Sequence, residues 1–153
     1  MTTDPYRLLF VCSGNICRSP MAEGLAQHWA RENGVRIEVQ SAGTLKLVDR
    51  AAAPKAVAVC QESGIDISDH CSQPLTEALI RWADCIAVME TAHSVQVFEL
   101  CPDVPSEAVV LMGPLVGQPE IRDPIGAWTR GPFRTALKQI QAGVDRILTP
   151  LLD

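Results

Sequence analysis

The chain is expected to adopt an α/β fold of three layers, a four-stranded parallel sheet flanked by helices. Three features of the sequence point there. Short, wholly apolar runs recur at 8–11, 85–89 and 109–112, with the length and character of strands buried on both faces. Between them lie segments whose apolar residues are spaced by three and four, the period of a helix. At 153 residues the chain suits one domain, spanning 1–153, with room for layered packing. Strands that alternate with helices imply parallel pairing with crossovers on both faces.

Leu8-Leu9-Phe10-Val11 is the first strand, apolar throughout and therefore central. Ser19-Pro20 reads as a helix N-cap followed by proline at the first helical position. Met21, Leu25 and Trp29, with Ala22, Ala26 and Ala30 beside them, supply that helix's apolar face. Ile37 and Val39 alternate with Glu38 and Gln40, a more exposed strand that runs into Ser41-Ala42-Gly43. A helix over 53–63 stops at Gly64, a C′ glycine. A short helix over 76–82 follows a polar turn, Cys85 to Met89 forms the third strand, and a helix covers 91–100. Val109 to Met112 is the fourth strand, and a Gly/Pro-rich loop spans 113–131. The closing helix starts near Pro132 and carries Phe133, Leu137, Ile140, Val144, Ile147, Leu148 and Leu151. The arrangement is flavodoxin/Rossmann-like. In such sheets ligands bind beyond the carboxyl ends of the strands, so the loops at 12–19, 41–43 and 113–131 should open on one edge.

Apolar residues make up 47 % of the chain and charged residues 20 %, a globular composition. The net charge of −5 leaves no basic stripe for a nucleic-acid backbone. A local anion pocket within an acidic surface remains open to it. Met1-Thr2-Thr3-Asp4 shows no basic region before a long apolar run, so no signal peptide is expected. No apolar run approaches the ~20 residues that cross a bilayer. The six cysteines are scattered through apolar segments, which fits free thiols in a cytoplasmic setting. There is no CxxC pair and the three histidines stand far apart, so neither a metal nor a cofactor is expected. GxxxxGK[ST] and GxGxxG are both absent, against a nucleotide-binding switch.

The chemistry is expected in the loop Cys12-Ser13-Gly14-Asn15-Ile16-Cys17-Arg18-Ser19. Cys-x5-Arg recurs by chance when cysteines are common, and in an ordinary turn it would mean a buried thiol and a solvent-facing arginine. Here it closes a strand–loop–helix turn, where small residues let backbone N–H groups point inward and a helix N-terminus lies behind. Such a loop is an anion cup. A thiol at its floor should ionise readily, and Arg18 can grip two phosphoryl oxygens with its planar fork. These contacts strengthen as charge spreads over the equatorial oxygens, while the thiolate forms a phosphocysteine. Ser19 is placed to donate to the Cys12 sulfur, and Asn15 to hold a partly left-handed turn. Asp123-Pro124 would more often be a plain turn. On the loop after strand four it becomes the candidate general acid.

The stretch Val11-Cys12-Ser13-Gly14-Asn15-Ile16-Cys17-Arg18-Ser19-Pro20-Met21-Ala22-Glu23 resembles the signature of low-molecular-weight protein tyrosine phosphatases. Ser41-Ala42-Gly43-Thr44, Gly64-Ile65-Asp66, His70, Leu75-Thr76, Trp82-Ala83-Asp84, Val88-Met89 and Asp123-Pro124 extend the resemblance along most of the chain. It implies metal-free hydrolysis of a phosphorylated protein or peptide, with phosphate held by residues 13 to 18 and the loop braced by Asn15, Ser19, Ser41 and His70. It also implies a reversible Cys12–Cys17 disulfide that protects the nucleophile. A small residue filling space is the other reading of Cys17. His28 and His93 receive no role, and Cys60, Cys71, Cys85 and Cys101 are read as packing residues.

The sequence departs from that pattern at the walls of the cup. Leu45-Lys46-Leu47-Val48 and Ile125-Gly126-Ala127 stand where phosphotyrosine enzymes of the family often carry aromatics. Asp-Pro-x-Gly resembles the subgroup containing bacterial protein-arginine phosphatases. Ile16 stands where those enzymes have threonine, and its methyl groups suit a flat aromatic ester. Phosphotyrosine is therefore the expected substrate and phosphoarginine the alternative, with Ile16, Leu47, Ile125 and Trp128 as selectivity residues. An arsenate reductase would need further redox cysteines after the third strand, where Glu90 and Thr91 stand. A silent phosphate-binding regulator would have lost Cys12, Arg18 or Asp123.

Overall fold

The computed structural model describes residues 4–152. Its sheet has four parallel strands in the order β2-β1-β3-β4: β1 (Tyr6–Cys12), β2 (Ile37–Gly43), β3 (Cys85–Val88) and β4 (Val109–Leu111). β1 pairs with β2 from Tyr6↔Ile37 to Cys12↔Gly43 and with β3 from Leu8↔Cys85 to Val11↔Val88. Side chains alternate across a strand, and this divides β1 between two cores. Leu8 and Phe10 pack with Met21, Leu25 and Ile140, while Leu9 and Val11 pack with Ile80 and Val97. The first core lies under α1 (Arg18–Asn33), α2 (Pro54–Glu62) and α6 (Gly131–Leu148); the second lies under α3 (Glu77–Trp82) and α4 (Thr91–Leu100). These are the three expected layers.

Most element ends fall within a residue or two of expectation, the usual scatter of fraying termini. Thr76 is the N-cap of α3 and its hydroxyl accepts the Leu79 N–H. Gly64 takes a φ of 77° just past α2, the left-handed turn that favours glycine. Three expectations need correction. β4 is only half-buried because it is a sheet edge. The loop expected over 113–131 contains a helical turn, α5 (Met112–Leu115), with Pro114 in the first turn, where its missing N–H is not needed. Leu151 lies beyond α6 in a 3₁₀ turn, Thr149–Leu152. Gly43, the last residue of β2, passes so close to the loop after β1 that a Cβ there would lie 2.7 Å from the Ser13 carbonyl oxygen. No helix among the described residues is long and apolar enough to cross a membrane.

Candidate active site

β1 ends at Cys12 and α1 begins at Arg18, so 13–17 form a tight loop. Its carbonyls are tied outward. Those of Cys12, Ser13, Ile16 and Cys17 accept the N–H groups of Thr44, Leu45, Ala53 and Met21 at 3.1, 2.9, 2.8 and 3.2 Å. His70 Nε2 lies 2.6 Å from the Asn15 carbonyl oxygen. In a trans peptide the N–H points opposite to the carbonyl before it. The amides of Gly14, Ile16 and Cys17 therefore turn inward, and they have no partner among the described residues. The result is a nest of donors. Asn15 sits at a φ of 56°, left-handed backbone that asparagine tolerates.

The Cys12 side chain is buried at the floor of this nest. Its sulfur accepts the Asn15 N–H at 3.3 Å and lies 2.9 Å from Ser19 Oγ. Asn15 Nδ2 donates to Ser19 Oγ at 2.7 Å and to Ser41 Oγ at 2.9 Å, and Ser41 donates onward to Glu23 at 2.5 Å. Ser19, already an acceptor from Asn15, is left to donate to the sulfur. The fully buried Asn15 also accepts the Gln73 N–H on Oδ1 at 2.9 Å, so its side-chain amide is paired at both ends. Ser19 is consequently not the helix cap. Cys17 holds that position without a side-chain bond, because the serine hydroxyl is committed to the loop. The first N–H groups of α1 stay available to an anion.

Arg18 is 1 % exposed. Nη1 donates to Glu90 Oε2 at 2.5 Å and to the Ile121 carbonyl at 2.8 Å. Nη2 lies 3.3 Å from Asp123 Oδ2 and 3.4 Å from Ser13 Oγ. Nε is buried with no partner among the described residues. Leaving such a donor unpaired costs roughly 1–3 kcal/mol, and an oxyanion in the nest would satisfy it. Asp123 is carried by the loop after α5, anchored where Ile121 donates its N–H to the Met89 carbonyl at 3.0 Å. Asp123 Oδ1 accepts the Ile125 N–H at 3.0 Å, an Asx turn that leaves Oδ2 toward Arg18. Cys12, Arg18 and Asp123 thus come from two different loops to one place. Arg18 touches carboxylates on both sides and a nest on the third.

The walls are less uniform than the sequence suggests. A Cβ on Gly14 would meet Ile16 at 3.4 Å and Leu47 at 3.6 Å, so Ile16 and Leu47 share one flank of the cup. Ile125 is exposed beside Asp123. Trp128 is 96 % exposed and borders a shallow depression with Ala53, Pro54, Lys55 and Phe133, which adjoins the cup where the Ala53 N–H meets the Ile16 carbonyl. Burial, reinforced by Asp123 and Cys12, pushes the Cys17 thiol up to about 12.

Four further residues complete the site. Glu90 anchors Arg18; His93 Nε2 lies 2.9 Å from Ser13 Oγ; Gln73 and Glu23 terminate the Asn15 network. Glu90 stands two residues past the end of β3, and the sheet-edge rule extended to the loop after strand three would have flagged it. Burial raises the Glu23 carboxyl, against the lowering influence of Ser41 and His70.

A family model described as low molecular weight phosphotyrosine protein phosphatase matches residues 7–152. Wzb of Escherichia coli (strain K12), a low molecular weight protein-tyrosine-phosphatase, is 38 % identical over 117 residues, 76 % of each chain. A protein-arginine-phosphatase of Geobacillus stearothermophilus is 33 % identical over 151 residues, 96 % of this chain and 97 % of the relative. Among solved structures, Vibrio vulnificus Wzb in complex with benzylphosphonate matches with a TM-score of 0.85 at 30 % identity, over 96 % of this chain and 99 % of that one.

Proposed function

Because the chain belongs to the low molecular weight phosphotyrosine protein phosphatase family, we propose that it hydrolyses phosphotyrosine in proteins through a phosphocysteine on Cys12. The observation that carries this reading is the buried, unpartnered Nε of Arg18, set beside a nest whose floor is a hydrogen-bond-accepting sulfur. Substrate phosphate enters as an anion and takes Arg18 Nε, Nη2 and the amides of 13 to 18 as donors. Its arrival displaces the Asp123 contact on Nη2. The Cys12 thiolate attacks phosphorus, the P–O bond to the phenol breaks, and Asp123 gives its proton to the departing oxygen. Water then attacks the phosphocysteine. Asp123 takes the water's proton, the S–P bond breaks, and Ser19 donates a hydrogen bond to the departing sulfur. Asn15, Ser41 and His70 keep the nest in shape throughout, and charge developing on the equatorial oxygens meets donors already in place.

Ile16 and Leu47 flank the cup with apolar surface, which suits an aryl ester. Ile125 and Trp128 extend that surface along the substrate's flanking residues. The second reading, phosphoarginine, draws on Asp123-Pro124-Ile125-Gly126 and on the arginine-phosphatase relative. Steady-state rates on matched phosphotyrosine and phosphoarginine peptides decide between them. The expected result is a kcat/KM favouring phosphotyrosine, with Ile16→Thr moving the ratio toward phosphoarginine. A wild-type preference for phosphoarginine sinks the first reading.

A reducing, cytoplasmic compartment suits a thiolate nucleophile. Under peroxide, Cys12 is oxidised to a sulfenic acid and the Cys17 thiol displaces water to form a disulfide. Dithiothreitol, by reducing that disulfide, should restore activity to peroxide-treated enzyme. Complete absence of recovery removes the role.

A further inference from the structure

Ser13 and His93 lie 80 residues apart in sequence and meet beside the cup. His93 occupies the first turn of α4 and is 2 % exposed. Its Nδ1 accepts the Glu90 N–H at 3.0 Å. A ring nitrogen that accepts carries no hydrogen, so the neutral imidazole must hold its proton on Nε2. Burial, with Arg18 adding to it, keeps His93 neutral by pushing its pKa down to about 4. Nε2–H therefore donates to Ser13 Oγ at 2.9 Å. Arg18 Nη2 approaches the same oxygen at 3.4 Å. A hydroxyl has two lone pairs and one hydrogen. With donors on the oxygen from two sides, the hydrogen must leave in another direction, and no acceptor for it stands among the described residues.

Nη2 is also the nitrogen that faces Asp123, so Ser13 Oγ lies along the arm of Arg18 that a phosphoryl oxygen would share. We propose that the Ser13 hydroxyl is an additional donor to the phosphoryl group and that His93 is the positioning residue that aims it. His93 touches no reacting atom. It fills the serine's acceptor side, which leaves the O–H free to turn to a phosphoryl oxygen held on Arg18. A donor oriented in advance costs no reorganisation when charge grows on the equatorial oxygens. The proposal rests on the phosphatase reading for its effect on rate, while its effect on oxyanion binding stands without that reading.

The test compares Ser13→Ala, Ser13→Thr, His93→Phe and the Ser13→Ala/His93→Phe double variant, using a phenyl phosphate for turnover and inorganic vanadate for oxyanion affinity. Ser13→Ala should lower kcat and weaken vanadate by about 10-fold, less than the 10²–10³ of an isolated oxyanion donor because loop amides share the charge. Ser13→Thr should restore both. His93→Phe should reproduce the Ser13→Ala loss in the wild-type background and add little in the Ser13→Ala background, a coupling that a purely structural histidine would not show. Thermal denaturation checks folding; should His93→Phe not fold, His93→Asn takes its place in the same cycle. Wild-type kcat and vanadate affinity in Ser13→Ala overturn the donor, and additive losses overturn the positioning. If wild type hydrolyses no phosphate ester yet Ser13→Ala still weakens vanadate, the phosphatase reading fails and the donor survives.

Discussion

Two loops face each other across the carboxyl edge of the sheet, and they are held in opposite ways. The loop after β1 is over-determined. Its carbonyls are bonded outward, Asn15, Arg18 and Ser19 are buried, and the Asn15 network reaches Gln73, Ser41 and Glu23. The loop after β4 is pinned at Ile121 and at the Asx turn of Asp123, beyond which Ile125 and Trp128 stand exposed. On the proposed mechanism the first loop presents donors to one charge distribution, so rigidity serves it. On the same mechanism the second delivers a proton and then admits different flanking residues, which suits an acid fixed by an Asx turn with exposed side chains beyond it. On that reading the chemistry belongs to a buried polar network and selectivity to an exposed rim.

The sharpest way to break that division is at the sulfur. Cys12→Ser should abolish turnover while isothermal titration still detects inorganic phosphate or vanadate; retained hydrolysis would show that no phosphocysteine forms. Next in size, Asp123→Asn should slow hydrolysis of phenyl phosphates by about 10²–10⁴. The loss should shrink as the leaving group improves, and a loss independent of leaving group would mean the acid is merely structural. Asn15→Ala strips buried partners from Gln73, Ser19 and Ser41. Each group left unpaired costs roughly 1–3 kcal/mol, so chemical denaturation should show a clear fall in stability together with lost activity. A variant of wild-type stability would contradict the over-determined loop.

A smaller effect is expected with pH. The His93 pKa is pushed down to about 4, whereas an unfolded histidine titrates near 6.5. Between those values the unfolded state binds the extra proton, so this stability is present above about pH 6.5 and is lost as pH falls toward 4. The full difference is on the order of 3 kcal/mol. Glu23, raised by burial, contributes with the opposite sign, present at low pH and lost as pH rises through its folded value. The difference between wild type and His93→Phe isolates the histidine; equal slopes in both would show that the ring is not buried neutral. Smallest of all, Trp128→Ala should change kcat/KM on peptides by only a few-fold and leave small phenyl phosphates untouched. A large loss on the small substrate would place the tryptophan in the cup and erase the contrast between the loops.

Much of the molecule was legible in the sequence because its signals are local. Apolar runs of strand length, the left-handed tolerance of Asn15, the turn at Asp123-Pro124 and the strand–loop–helix placement of Cys12 and Arg18 each depend on residues a few positions apart. Ser19 misled for a local reason too: serine before proline is a good cap, and only the competing demand of Cys12 and Asn15 removed it from that role. The partners of Arg18 and Ser13 belong to tertiary structure alone. Glu90 lies 72 residues from Arg18 and His93 lies 80 from Ser13, and any of several carboxylates or rings could have met them as far as local pattern is concerned. Which one does is set by the β2-β1-β3-β4 strand order, which brings the end of β3 beside the loop after β1 and aims two side chains that no periodicity distinguishes.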